Sequence, residues 1–234
     1  MSEHEHRPTA ARTPKAVLWD MDGTLVDSEK LWSIALYELA DHLGGTLSDE
    51  ARASLIGSNM DHTLRVLLTE VGLEPAEGPL AEAEKWLNER TTELFRAGLP
   101  WRPGAWDALR SVRDSGVPTA LVTSTERALT EVALDSIGRD FFDVTVCGDE
   151  VDGRNKPDAE PYLKAARLLG VEPAACVAIE DSSTGTAAAV AAGCTVLVVA
   201  SEVPVEAGER RVLRDSLVGV DMAFLGRLLP PVAD

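Results

Sequence analysis

The sequence predicts an α/β fold: a Rossmann-like parallel sheet with helices on both faces, interrupted by an inserted α-helical cap. Three observations point there. Short apolar runs alternate with amphipathic helical segments, the rhythm of repeated βαβ units. Those runs lack strict polar alternation, as strands buried on both faces do. One long stretch, from Ser28 to about Leu99, carries helical patterns and no convincing strand.

The elements follow in order. Residues 1–13, MSEHEHRPTAART, are polar and lack an apolar signal core, so they read as a disordered tail. The α/β core takes residues 14–28 and resumes at 99–234. Its first strand is Ala16–Asp20, followed at once by Asp22 and Asp27. Gly23 permits the turn that leaves this strand, and Asp27 reads as a cap or hydrogen-bonding group of that turn.

The cap takes residues 29–98. Its helical patterns are Glu29–Leu43, Ser48–Leu55, Asp61–Val71 and Leu80–Ala97, with Asp61 as an N-cap. Leu31, Ile34, Ala35, Leu39 and Leu43 make one apolar helix face. The chain returns through GLPWRPGAWDAL, a Pro/Gly-rich stretch suited to a hinge. The remaining strands read as Pro118–Thr123, Asp143–Cys147, Cys176–Glu180 and Thr195–Val199. The helices between them, Trp106–Ser115, Glu126–Ile137, Ala159–Leu169 and Thr184–Ala192, each end just before a glycine.

Bulk properties narrow the function. The 234 residues are 45% apolar, enough for a substantial core, and carry a formal net charge of −17. Such an acidic chain disfavours nucleic-acid backbones and anionic membranes, which need basic surface. Apolar runs stop well short of the ~18 residues of a membrane span. Cys147, Cys176 and Cys194 are scattered, odd in number and without metal-ligand spacing, so a cytoplasmic location fits. A monomer acting on a small molecule is expected.

In open parallel sheets, ligands bind beyond the carboxyl ends of the strands. Asp20, Asp22 and Gly23 follow the first strand there. Thr123 and Ser124 follow the second, in ALVTSTER, and Glu180, Asp181 and Ser182 follow the fourth, in VAIEDSSTG. Lys156, in GRNKPDAEPYL, precedes Pro157 at a helix start. An apolar strand that ends in acids is costly unless something positive pairs them. Mg²⁺, a hard cation that takes carboxylates, waters and phosphate oxygens, answers that need together with Lys156. The set suits phosphoryl transfer, with hydroxyls and loop N–H groups on the phosphoryl oxygens and a carboxylate nucleophile.

DMDGTLVDS resembles the first motif of the haloacid dehalogenase superfamily, in its β-phosphoglucomutase/phosphatase-like subgroup. VTS, NKP and IEDS resemble the second, third and fourth, in the right order, and the helical insertion resembles that family's cap. The resemblance implies a Mg²⁺-dependent phosphatase working through an aspartyl phosphate. It implies Asp20 as nucleophile, Asp22 as general acid/base and Lys156 as phosphate anchor, with Thr123 or Ser124 on the phosphate. It also implies Asp20, Asp181 and the Asp22 carbonyl as metal ligands, supported by Glu180. Among cap residues, Trp32, Asn59, Met60, His62 and Arg65 are candidates to face the substrate.

Two alternatives compete. A β-phosphoglucomutase-like mutase shares fold and motifs, but such enzymes carry a His and an Arg where this chain has Trp32 and Met60. A non-enzymatic phospho-acceptor receiver module also gathers acids, a hydroxyl and a lysine at a sheet edge. It lacks both the insertion and an aspartate two residues after the acceptor.

Overall fold

The computed structural model describes residues 12–56, 58–199 and 203–230. Apart from Arg12 and Thr13, the expected tail lies outside the described residues. Among the described residues, six parallel strands form one sheet: β1 (Ala16–Trp19), β2 (Thr119–Val122), β3 (Val144–Val146), β4 (Cys176–Glu180), β5 (Thr195–Val198) and β6 (Arg211–Leu213). Their order is β3-β2-β1-β4-β5-β6. The winding reverses at β1, which pairs with β2 on one side and β4 on the other. A crevice opens at the carboxyl ends of strands at such a reversal.

Both faces of the sheet are covered, as the apolar runs require. Val17 and Trp19 pack with Leu109 and Val112 of α5 (Ala105–Asp114), Leu129 of α6 (Arg127–Ile137) and Leu225 of α9 (Met222–Leu228). Ala16 and Leu18 face the other way. They pack with Tyr162 and Ala165 of α7 (Glu160–Leu169) and with Ala188 and Ala189 of α8 (Ser183–Ala192). β6 and α9 go beyond the sequence expectation. A three-residue edge strand and a seven-residue helix are too short to show a period.

Four helices lie between β1 and α5: α1 (Glu29–His42), α2 (Asp49–Ser54), α3 (Met60–Glu70) and α4 (Glu77–Ala97). They bury their own apolar cluster, including Leu39, Leu64, Leu67, Leu68 and Leu87. Because α3 starts at Met60, the residue placed to cap it is Asn59. Its Oδ1 accepts from the His62 N–H at 2.9 Å. Asp61 is therefore not the N-cap expected from sequence; it sits in the first turn and pairs with Arg65 at 2.8 Å. Helix α4 likewise starts at Glu77, a turn earlier than its apolar pattern, and packs on α6 of the core.

The two crossings between this helical layer and the sheet run side by side. Val26 bridges Trp101 in antiparallel fashion. The Asp27 N–H donates to the Pro100 carbonyl at 2.8 Å, and the Arg102 N–H to the Leu25 carbonyl at 2.9 Å. Gly23 makes the turn with φ +82°, and its N–H donates to the Val26 carbonyl at 2.8 Å. Among the described residues, no helix is long and apolar enough to cross a membrane.

Candidate active site

The strand ends β1, β2 and β4 and the loop before α7 bring the expected charged groups together. The parallel register sets Trp19 beside Ile179, so Asp20 and Glu180 leave adjacent strands side by side. Lys156 reaches them from a turn, four residues before α7 begins at Glu160, rather than from the helix start itself. Its Nζ donates to Asp20 Oδ1 at 2.7 Å, to Glu180 Oε1 at 2.6 Å and to the Val122 carbonyl at 3.0 Å. All three ammonium protons are thus directed.

Glu180 is fully buried and densely bonded. Oε1 also accepts from the Tyr162 hydroxyl at 2.6 Å. Oε2 accepts from the backbone N–H groups of Asp181 and Ser182 and from the Ser182 hydroxyl. The start of α8 has to lie against this carboxylate. A Cβ at Gly185 would come within 1.9 Å of Glu180 Oε1, so only glycine fits there.

Asp22 occupies a different environment. Its Oδ1 accepts from the Ser28 hydroxyl at 2.6 Å. Its Oδ2 accepts from Thr125 Oγ1 at 2.7 Å and Thr123 Oγ1 at 3.2 Å. Among the described residues, no ammonium or guanidinium holds it. Thr123 also accepts from the Thr125 N–H, which ties the loop after β2 to this aspartate.

The electrostatics follow from too many acids sharing one lysine. Burial pushes the Asp20 carboxyl up from its ordinary 3.8 to about 7, against the pull of the Lys156 ammonium; the charges of Glu180 and Asp22 push it the same way as burial. Burial also raises Asp181 well above the carboxylate range, helped by the charges of Asp20 and Glu180. Burial disfavours the Lys156 ammonium, but Asp20 and Glu180 together outweigh it and hold the amine above its ordinary value.

These features fit a divalent cation. Asp20, Glu180 and Asp181 offer oxygens that lie within 4.8 Å of one another. Asp20 Oδ2 is buried with no hydrogen-bond partner among the described residues. An oxygen-only donor set suits a hard ion. The donors already crowding Glu180 leave Asp20 and Asp181 as the better-placed ligands, with Glu180 holding Lys156 and the loop behind them.

A pocket opens above this floor, lined from the core by Asp20, Asp22, Thr123, Ser124, Lys156 and Asp181. Trp32, Asn59 and Met60 line it from the helical layer, as expected of three cap candidates, although the Asn59 side chain is engaged in capping α3. His62 and Arg65 are exposed and lie outside the lining, as does Gly23, a buried turn residue. Sequence reasoning missed Thr125, Ser28, Glu29 and Arg52. For Thr125 the signal was available in VTST, a third hydroxyl beside the two singled out.

A parallel sheet with paired carboxylates and a lysine at its switch point suits phosphoryl transfer. The family model for haloacid dehalogenase-like hydrolases matches residues 14–193, and the chain belongs to that family. Its relatives make it a phosphatase. Hexitol phosphatase A of Escherichia coli is 32% identical over 189 residues, covering 79% of this chain and 82% of the relative. Phosphoglycolate phosphatase of Chromobacterium violaceum is also 32% identical, over 188 residues and 79% and 84% of the two chains. Among solved structures, CbbY of Rhodobacter sphaeroides in complex with xylulose-(1,5)bisphosphate is similar at TM-score 0.78 and 29% identity. That match covers 88% of this chain and 96% of CbbY.

Proposed function

We propose that this phosphatase hydrolyses small phosphorylated metabolites, of the sugar-phosphate kind, in a Mg²⁺-dependent reaction through an aspartyl phosphate on Asp20. One observation carries the reading. Two aspartates two residues apart face one pocket, one held by an ammonium and the other by three hydroxyls. That asymmetry suits two roles. An Asp20 oxygen attacks phosphorus while the bond to the leaving oxygen breaks, and Asp22 gives that oxygen its proton. Asp22 then takes a proton from water, whose oxygen attacks phosphorus and breaks the bond to Asp20, releasing phosphate.

Lys156 holds Asp20 in line, and Thr123 and Ser124 are placed for the phosphoryl oxygens. Mg²⁺, held by Asp20 and Asp181, supplies positive charge to the phosphoryl group when bound. The relatives support a phosphorylated carbohydrate as substrate: one is named a hexitol phosphatase, and another was solved with a sugar bisphosphate. Trp32 and Met60 on the pocket wall support hydrolysis over mutase chemistry, which the resemblance associates with His and Arg at those places.

The test measures phosphate release from p-nitrophenyl phosphate and a panel of sugar phosphates, in chelator and then in excess Mg²⁺. Chelator should abolish turnover and Mg²⁺ restore it. Asp20→Asn, close in shape, should lower kcat by about 10⁴-fold or more with an unchanged circular dichroism spectrum. Turnover retained in that variant would rule out the covalent route.

A further inference from the structure

The part of the pocket wall contributed by the helical layer holds a guanidinium that the chemistry above does not use. Arg52 of α2 has a side chain only 7% exposed, yet it lines the pocket. Its Nε donates to Ser33 Oγ at 2.9 Å, and its Nη2 to Glu29 Oε2 at 2.9 Å and to the Glu29 carbonyl. Its Nη1 makes no hydrogen bond among the described residues. A guanidinium on a nearly buried side chain that lines a ligand pocket, with one nitrogen left over from its contacts to Ser33 and Glu29, is a recognition group for an oxygen acceptor.

The surroundings decide which kind of acceptor. Glu29, on the same wall, cancels the charge of Arg52, so the pair offers donors without a net positive charge. Among the described residues, the pocket lining carries five carboxylates (Asp20, Asp22, Glu29, Glu126 and Asp181) against two cations, Lys156 and Arg52. One divalent cation and one phosphoryl dianion cancel each other, which leaves the lining acidic. A second anionic group on the substrate would enter that field with no cation free to meet it. Ser58, Thr63 and Asn88 add only neutral hydroxyl and amide groups to the same lining.

We propose that Arg52, neutralised by Glu29, is the specificity-determining donor of this enzyme. It reads uncharged hydroxyl or carbonyl oxygens of a polyol chain and leaves esters with a carboxylate or a second phosphate disfavoured. This rests on the phosphomonoester reading above. It separates this chain from relatives whose names carry anionic tails, a phosphoglycolate phosphatase and a protein solved with a bisphosphate.

The experiment compares kcat/KM for a hexitol 6-phosphate, ethyl phosphate and 2-phosphoglycolate in excess Mg²⁺, for the full-length wild type, Arg52→Gln and Glu29→Gln. Wild type should prefer the hexitol ester over 2-phosphoglycolate. Arg52→Gln should lower the hexitol-to-ethyl ratio about 10–100-fold, the worth of one charged hydrogen bond. Glu29→Gln uncovers the guanidinium charge, so the 2-phosphoglycolate-to-hexitol ratio should rise at least several-fold. Equal losses on hexitol and ethyl esters in Arg52→Gln would make Arg52 a strut between α1 and α2 and overturn the proposal. So would a wild type that prefers the anionic ester, or an unmoved ratio in Glu29→Gln, which serves should Arg52→Gln fail to fold. A wild type that hydrolyses none of the three, nor p-nitrophenyl phosphate, would overturn the mechanism above together with this inference.

Discussion

The floor and the wall of the pocket are built on opposite principles. On the floor, Lys156, Glu180 and Asp22 have their donors and acceptors committed at about hydrogen-bond length, and the fold leaves Gly185 no alternative. On the wall, apolar side chains such as Trp32, Leu36, Leu55 and Met60 surround a single charged pair. A floor committed in this way, with Asp20 Oδ2 left over among the described residues, presents the same geometry to every phosphoryl group. A sparsely polar wall distinguishes what is attached to it.

The sharpest way to break this comparison is at Asp22. If it gives and takes the proton, its value depends on the leaving group: an alkyl alcohol needs protonation, whereas p-nitrophenolate does not. Asp22→Asn should slow hydrolysis of an alkyl phosphate by roughly 10²–10⁴-fold at the first step. With p-nitrophenyl phosphate the variant should form phosphoenzyme and stall, giving a nitrophenolate burst of up to about one equivalent in rapid quench. Equal losses on both esters without a burst would reduce Asp22 to a turn-shaping residue held by Ser28, Thr123 and Thr125.

A smaller effect tests how tightly the floor is packed. In Gly185→Ala the new methyl meets the Glu180 carboxylate at 1.9 Å, and either α8 or Glu180 has to move. Over-packing of this kind costs about 1–3 kcal/mol, and a displaced Glu180 loosens Lys156. Thermal unfolding should show a lower Tm, and kcat should fall about 10²-fold on every ester alike. A variant that changes selectivity among esters instead would mean that floor and wall are not separable.

The smallest effect is in pH. Asp20 has a folded pKa of about 7 against an ordinary 3.8. The folded metal-free protein therefore binds more protons than the unfolded chain between those values, and its stability falls as pH rises through that window. Measured against Asp20→Asn, the wild-type Tm without metal should drop by on the order of 5 °C from pH 4 to pH 7. A Mg²⁺ ion ligated by Asp20, as proposed above, would have to displace that proton, so its stabilising effect should be larger at pH 8 than at pH 5. A metal effect independent of pH would remove Asp20 from the ligand set.

The same division governs what could be read from sequence. Asp20, Lys156 and Asp181 were legible because buried acids at strand ends need a cation, a demand visible one strand at a time. The runs of β1, β2, β4 and β5 were legible as strands because burial on both faces removes their polar alternation. Arg52 was not legible. In DEARAS it looks like any charged residue of an amphipathic helix, and only the packing of α2 on α1 turns it inward. Asp61 reads as the cap where Asn59 serves because the first residue of α3 is ambiguous in the apolar pattern. The edge elements β6 and α9 depend on the sheet already being there to receive them.

The paired crossings at Val26–Trp101 carry a consequence for inheritance and engineering. Leu25, Asp27, Pro100 and Arg102 are bonded to one another across the junction, so the helical layer leaves and rejoins the sheet at a single doorway. A segment whose two ends emerge together can be lengthened, trimmed or exchanged as one cassette without re-threading the sheet. Recombination at that doorway would give the same carboxylates and lysine a new selectivity in a single event. Drift within the sheet has no comparable freedom, because Lys156 is bonded to groups at the ends of three strands.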